Sequence, residues 1–324
     1  MRNLAILPLV SLILASLPSS RAVGLDLIAP VPGTIMQRKD SGPSSLMIVG
    51  IAGRSSMLWA RLVPLTPTGR PIPSPRPWQP VAPESVGRVF WFSMPVPQGW
   101  WMVQVRDSRS IASIEPIGVG EVFVVAGQSN AANHGWPPVP PADQRVRIDN
   151  FASGTGGNPW GICGDLLARN LQMPIRFINV AESGTAVEQW LPGGDLSPRI
   201  RMALELAGPN GVRGILWHQG ETDVGLATPS EVYEAQLRAL IAATGQRWYV
   251  AQASYGPFDL PLEQFFAIAS AQRRVVDLVS TFPGPTTDDL IGPIWRYDLI
   301  HLNALGLHEH GRRWAETLLP GLPR

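Results

Sequence analysis

The sequence predicts an α/β protein, a three-layer α/β/α sandwich around a parallel sheet, preceded by a small all-β, sandwich-like domain. Three observations predict it. After residue 116, short apolar runs alternate with longer stretches of helical periodicity, as crossover helices between parallel strands require. Before residue 116 the runs are short, several alternate in character, and Pro- and Gly-rich turns separate them. The chain has 324 residues and 45% hydrophobic content, enough to bury a full core and to hold more than one domain.

The N-terminus carries an export signature. Arg2 supplies a positive start, Leu4 through Leu17 form an apolar run, and Ser20-Arg21-Ala22 places small residues where a signal peptidase reads them. The run is short for a membrane span, so residues 1–22 read as a signal peptide and the mature chain starts near Val23, secreted or periplasmic. A retained anchor is the alternative. Cys163 is the only cysteine, which leaves no internal disulfide, and no lipobox cysteine follows the apolar run.

Residues 24–115 form the β-rich accessory domain. Strands are expected at Leu46–Val49, Met57–Val63, Val89–Phe92 and Trp101–Val105, and the Pro-rich stretch Pro64–Pro83 is expected as a long surface loop. Such a module could grip a polymer, or could only cover one side of the domain that follows.

Residues 116–324 form the second domain. Strands are expected near Val122–Ala126, Arg176–Ala181, Gly214–Trp217 and Trp248–Ala253. Helices are expected near Gly161–Leu171, Ser197–Leu206, Ser230–Thr244, Leu262–Val279 and Ala304–Leu319, with Gly245 closing the third.

Chemistry concentrates at the exits of these strands. Gly127-Gln128-Ser129-Asn130 follows Val122–Val125 and presents a serine beyond a buried strand, the position of a nucleophile or of an ordinary turn residue. Asp298 stands three residues before His301, just ahead of the last helix with Asn303 as its cap, so one loop could supply a general base and the carboxylate that orients it. A structural histidine is the plainer alternative. Arg176–Ala181 runs into Glu182-Ser183-Gly184-Thr185, and Gly214–Trp217 runs into His218-Gln219-Gly220-Glu221-Thr222-Asp223, so three strand ends carry polar clusters at one sheet edge.

In Gly120–Phe123 with Gly127–Asn130, then Gly184-Thr185-Ala186-Val187-Glu188-Gln189-Trp190, then His218–Asp223, then Asp298 with His301, the chain resembles the SGNH hydrolases, specifically the sialate O-acetylesterase and family 6 carbohydrate esterase branch. The resemblance covers roughly residues 116 to 324 and keeps the family's order. It implies a carboxylic ester hydrolase with Ser129 as nucleophile, His301 as base and Asp298 as its orienting acid. It implies an oxyanion hole of the Ser129 and Gly184 N–H groups and the Gln219 side-chain amide, with Asn130, Thr185, Trp190 and Glu221 binding substrate or supporting the site. Ala131 and Ala186 depart from the family at the pocket wall, where methionine and a serine or proline are common. Glu221 and Asp223 could brace the loop or the histidine, or cap the next helix.

Other chemistries fit less well. His218, His301, His308 and His310 offer no His-x-x-x-His pair, and His308 and His310 diverge on a helix, so no metal is expected. No cofactor is expected either. Ser153–Pro159 is Gly-rich but lacks the Lys-Ser ending of a phosphate loop and reads as a flexible loop near the pocket. Gly127-x-Ser129-x-Ala131 approaches the nucleophile elbow of α/β-hydrolases, but that fold usually takes acid and histidine from separate strand ends. A net charge of +1 gives no argument for nucleic acid. No stable membrane insertion is expected after signal removal, and the oligomeric state stays open.

The expectation is therefore an exported serine esterase that removes acyl groups, acetyl by the resemblance, from an acylated carbohydrate. A carbohydrate O-acyltransferase would use the same triad, and a non-catalytic glycan-binding protein would be a decayed hydrolase. Trp136, Trp160 and Trp190 lie near the motif loops as candidates for sugar stacking, Trp190 foremost.

Overall fold

The computed structural model describes residues 24–52, 57–256 and 259–323. The export signature and the cleavage site near Val23 lie outside them. The chain divides into two compact units between Val119 and Gly120.

Among the described residues of the first unit all regular elements are strands: β1 (Asp26–Ala29), β2 (Ile35–Gln37), β3 (Ser44–Ile51), β4 (Leu58–Leu65), β5 (Gln79–Val81), β6 (Glu84–Val86), β7 (Val89–Val96), β8 (Gly99–Arg106) and the start of β9 (Ile111–Gly127). One antiparallel set runs β1-β3-β7-β6 and another β5-β4-β8-β9. Alternation places Leu46, Ile48, Phe90 and Phe92 of the first set in one core with Leu58, Ala60, Leu62, Val103 and Val105 of the second. The Pro-rich stretch is not loop throughout. Pro64 and Leu65 end β4, and Gln79–Val81 form an edge strand, where Pro80 needs no ladder donor on its outer side.

Among the described residues the second unit holds six parallel strands in the spatial order β10-β11-β9-β12-β13-β14, where β10 is Val146–Asn150, β11 Ile175–Asn179, β12 Gly214–His218, β13 Trp248–Gln252 and β14 Thr281–Thr286. Its helices are α1 (Trp160–Leu171), α2 (Ser197–Ala207), α3 (Glu221–Gly225), α4 (Ser230–Thr244), α5 (Leu262–Arg274) and α6 (Ala304–Leu318). The strands buried on both sides read as near-continuous apolar runs.

Spacing of three and four residues makes one apolar stripe on each covering helix: Trp160, Cys163 and Leu167 on α1, and Leu307, Gly311, Trp314 and Leu318 on α6. Those helices share a core with Phe123, Val125, Phe177 and Leu216. Trp217, one residue on from Leu216, points to the opposite face and meets Trp190 edge-on at 5.6 Å and Trp248 at 5.8 Å. Helix α6 begins as expected, with Asn303 Oδ1 accepting the Gly306 N–H.

The helix expected over Leu262–Val279 stops at Arg274. Asp277 closes a turn there by accepting the N–H groups of Val279, Ser280 and Thr281 at 2.8 Å each, and β14 follows. Pro283 and Pro285 hide β14 in the sequence, but it is the sheet's edge strand and tolerates them. Strand β10, polar at alternate positions, is the other edge and was missed for the same lack of a buried run.

Strand β9 lies between β11 and β12, so the chain leaves it toward one side and later continues on the other. Such a reversal opens a crevice beyond the carboxyl ends of the central strands. Ser129 follows the end of β9.

Candidate active site

Three strand exits are tied to one another. Gly127 stands opposite His218, and a Cβ there would fall 2.1 Å from the His218 carbonyl oxygen, so only glycine lets β9 and β12 stay paired to their ends. Gln128 N–H then donates to His218 O, while its side-chain Oε1 accepts from the Gly220 and Thr222 N–H groups. On the other side Glu182 N–H donates to Gly127 O. The turns carrying Ser129, Gly184 and Gln219 are thereby fixed around one point.

Ser129 is nearly buried, and its Oγ has no hydrogen-bond partner among the described residues. Its N–H is equally free of a partner, as is that of Gly184. Gly184 sits at φ +69° with open space where a side chain would be, which a left-handed glycine permits and other residues rarely do. Two unpartnered N–H groups at adjoining strand exits are the donors an oxyanion needs.

The histidine loop is built around Asp298. Its Oδ1 accepts the Ile300 and His301 N–H groups at 2.9 and 2.6 Å, and its Oδ2 meets His301 Nδ1 at 2.6 Å. Desolvation works to raise the Asp298 pKa, but these hydrogen bonds and the His301 charge hold it below the usual carboxylate range. An ionised carboxylate on Nδ1 keeps that proton in place and leaves Nε2 as the basic nitrogen.

Asn130 joins this loop to the serine. Its Nδ2 donates to Ile300 O at 3.3 Å and its Oδ1 accepts Leu302 N–H at 3.3 Å, so both backbone neighbours of His301 hang from the residue next to Ser129. Nδ2 also donates to Glu221 Oε1 at 3.1 Å. Glu221 Oε2 is buried without a partner, and burial pushes this carboxyl up to about 7 against the pull of the Asn130 amide and the Arg296 charge. Arg296, buried itself, donates to the carbonyls of Leu290, Thr287 and Ile300, and adds a second tie to the histidine loop. Glu221 is thus a brace of that loop.

Two expected roles are corrected. Gln219 is fully buried, and its Nε2 is spent on Thr185 O at 2.9 Å and Asp223 Oδ2 at 2.6 Å while its Oε1 accepts from Tyr233 O–H. With both amide protons occupied, Gln219 is not a donor to an oxyanion. It anchors the Thr185 turn. Trp190 is not a pocket wall: its ring is fully buried, and its Nε1 donates to Thr185 Oγ1 at 3.1 Å. Thr185 Oγ1 in turn donates to Glu182 O, so Thr185 and Trp190 shape the Gly184 turn from below. Trp160 is fully buried too, whereas Trp136 is 59% exposed and its N–H donates to Leu302 O, one residue from His301.

The Ser153–Pro159 loop, read as flexible, is pinned. Asn133 accepts from Asn150 and Asn158 and donates to the carbonyls of Ala152 and Ser153, and Ser153 Oγ accepts the Ser183 N–H. This network left no signature beyond scattered asparagines.

His134 was also missed, since no motif contains it, yet its ring stacks on His301 at 5.3 Å. His218 and His310 pack ring against ring at 4.6 Å in the core, burial driving the first down to about 3 and the second well below its ordinary value, so both are neutral. Among the described residues no group of three or more His, Cys, Asp or Glu side chains could hold a metal, and no helix is long and apolar enough to cross a membrane.

Residues 161–319 match the family model described as carbohydrate esterase, sialic acid-specific acetylesterase. Among solved structures the chain is similar to a protein described as a novel carbohydrate acetylesterase from Xanthomonas citri, at 16% identity and TM-score 0.51 over 89% of this chain and 72% of that one. It is similar also to a protein from Arabidopsis thaliana, at 18% identity and TM-score 0.51 over 62% of this chain and 98% of that one. At such identities these two likenesses concern the fold alone. No curated protein sequence matches the chain.

Proposed function

We propose, from the premise that this chain belongs through its C-terminal unit to the sialate O-acetylesterase-like carbohydrate esterases of SGNH type and is a carboxylic ester hydrolase, that it removes O-acetyl groups from a carbohydrate through an acyl-enzyme on Ser129. Residues 24–115 serve as a β-rich accessory domain and 116–324 as the α/β/α catalytic domain. The protein works after export, as its first residues suggest.

The observation that carries the reading is the Asn130 clamp: the residue beside the serine holds the backbone on both sides of His301. In the first step His301 Nε2 takes the Ser129 Oγ proton as Oγ bonds to the acetyl carbonyl carbon. The carbonyl oxygen, now an anion, receives the Ser129 and Gly184 N–H groups, and Asp298 steadies the imidazolium. The sugar oxygen leaves with the proton from His301. Water then attacks the acetyl-enzyme with the same base, acetate departs, and Ser129 is restored. Trp136 replaces Trp190 as the ring that stacks on a sugar face beside His301, since it is exposed there.

The test is acetate release from a short aryl acetate and from acetylated polysaccharides by wild type and Ser129→Ala. Release by wild type alone is expected, and equal release by both proteins would refute the assignment of Ser129. Adding an acceptor sugar separates hydrolysis from acyl transfer by the product formed.

A further inference from the structure

We propose that His134 is a positioning residue that links the general base to the oxyanion turn. The inference rests on the esterase reading above. On one side the His134 ring lies against His301 with centroids 5.3 Å apart and planes 29° from parallel. On the other its Nε2 lies 3.4 Å from Ser153 Oγ, a long hydrogen bond. That same oxygen accepts the Ser183 N–H at 2.8 Å, and Gly184 is the next residue. A continuous set of contacts therefore runs from the base through His134 and Ser153 to the turn that offers the Gly184 N–H.

His134 is itself held at both ends. Tyr297, whose ring faces His301 at 6.2 Å, donates its O–H to the His134 carbonyl at 3.0 Å, so the backbone of His134 is tied to the loop that carries the base. Ser153 is fastened by its carbonyl, which accepts the Asn133 N–H, and by its own N–H, which donates to Ala181 O. Neither partner of His134 can drift without moving a strand exit.

The stack has a chemical consequence. His301 becomes an imidazolium in the transition state, and a neutral aromatic face against it favours that charge, whereas a second cation would oppose it. The groups facing His134 are His301, Glu182 and Asp298, and burial first and His301 second hold His134 below the ordinary histidine value. In the neutral ring a nitrogen lone pair can take the Ser153 hydroxyl proton while the serine oxygen keeps its bond from Ser183 N–H. One uncharged imidazole thus meets both demands.

The test compares full-length wild type, His134→Ala, His134→Phe, Ser153→Ala and the double variant His134→Phe/Ser153→Ala, by turnover of an aryl acetate against pH and by melting temperature. His134→Ala should lower kcat by roughly ten- to a hundredfold with little change in KM, the size expected when a reacting group is slightly misplaced. It should also move the acidic limb of the kcat/KM profile, which reports the free base. His134→Phe keeps a ring against His301, so the limb stays in place while the Ser153 link is lost. Its loss of kcat should be no larger than that of Ser153→Ala, which also deletes the acceptor of the Ser183 N–H, and the double variant should be no slower than the slower single one.

A folded His134→Ala protein with wild-type kcat and limb overturns the inference. So do losses that multiply in the double variant, which decides the matter even where His134→Ala does not fold. Ser129→Ala run alongside keeps the two readings apart: if it retains activity the esterase assignment fails, whereas an inactive Ser129→Ala beside an unaffected His134→Ala removes only the role of His134.

Discussion

Asn130 Nδ2 donates to Glu221 Oε1 at 3.1 Å, joining the residue beside Ser129 to the first residue of α3. Through that bond the turn after β9 and the turn after β12 act as one support for the histidine loop. Removing either partner leaves a buried polar group unpaired, which costs more than the bond itself contributes.

Asn130→Ala should therefore lower stability by about 1–3 kcal/mol. It should also reduce kcat by roughly a hundredfold, because the backbone flanking His301 loses both its ties to this side chain. Denaturant unfolding and aryl acetate kinetics measure the two effects. Unchanged kcat in the folded variant would separate the clamp from catalysis.

Glu221 makes stability depend on pH. Its carboxyl lies at about 7 in the fold against 4.5 ordinarily, so the folded state holds a proton that the unfolded chain releases. The sign is that of a raised acid: its contribution is complete below pH 4.5, shrinks as pH rises, and has gone by about 7. At 1.36 kcal/mol per pKa unit this share is roughly 3 kcal/mol. Glu221→Gln retains an acceptor for Asn130 and cannot ionise. The stability difference between Glu221→Gln and wild type should grow in favour of the variant across that window and level off above it, and a flat difference would refute the account.

Gln219→Ala separates a structural amide from an oxyanion donor. Loss of a donor costs roughly a hundred- to a thousandfold in kcat. Here the Asp223 carboxylate, Thr185 O and Tyr233 O–H lose a partner instead. A lower melting temperature is expected, with kcat per folded active site reduced by less than roughly tenfold. A hundredfold loss at unchanged stability would return Gln219 to the hole.

Trp136→Ala and Trp190→Phe should act on different quantities. Trp136 is exposed and its backbone N–H is bonded to Leu302 O, next to His301, so its loss should raise KM for an acetylated polysaccharide by roughly tenfold and leave a small aryl acetate unaffected. Trp190→Phe deletes the donor to Thr185 Oγ1 in the core and should lower the melting temperature, with both substrates affected alike. An equal effect of Trp136→Ala on both substrates would argue against a sugar subsite.

Much of this architecture is legible in the residues themselves. The buried runs Val122–Ala126 and Gly214–Trp217, and the helical stripes of α1 and α6, follow from local periodicity, which neighbours along the chain express directly. Ser129, Gly184, Asp298 and His301 stand out because strand exits and one short loop place them. Asp298 and His301 meet through a turn of three residues, a contact the local chain can make by itself.

Other features depend on residues far apart in sequence. Whether an amide donor is free depends on what surrounds it, so Gln219 read as a catalytic donor until Asp223, Thr185 and Tyr233 were seen to use it. Burial likewise separates Trp190 from Trp136, since an indole has the same local signature in a core and at a surface. Edge strands β10 and β14 lack an apolar run, β10 because Arg147 and Asp149 interrupt it and β14 because an edge position tolerates Pro283 and Pro285. Residue order by itself determined the alternation of strand and helix and the polar strand exits, since propensity and periodicity act between near neighbours. The tertiary structure alone decided which of those polar groups remain unpartnered, and it brought His134 against His301, because burial and hydrogen-bond competition are settled between segments that meet only in the fold.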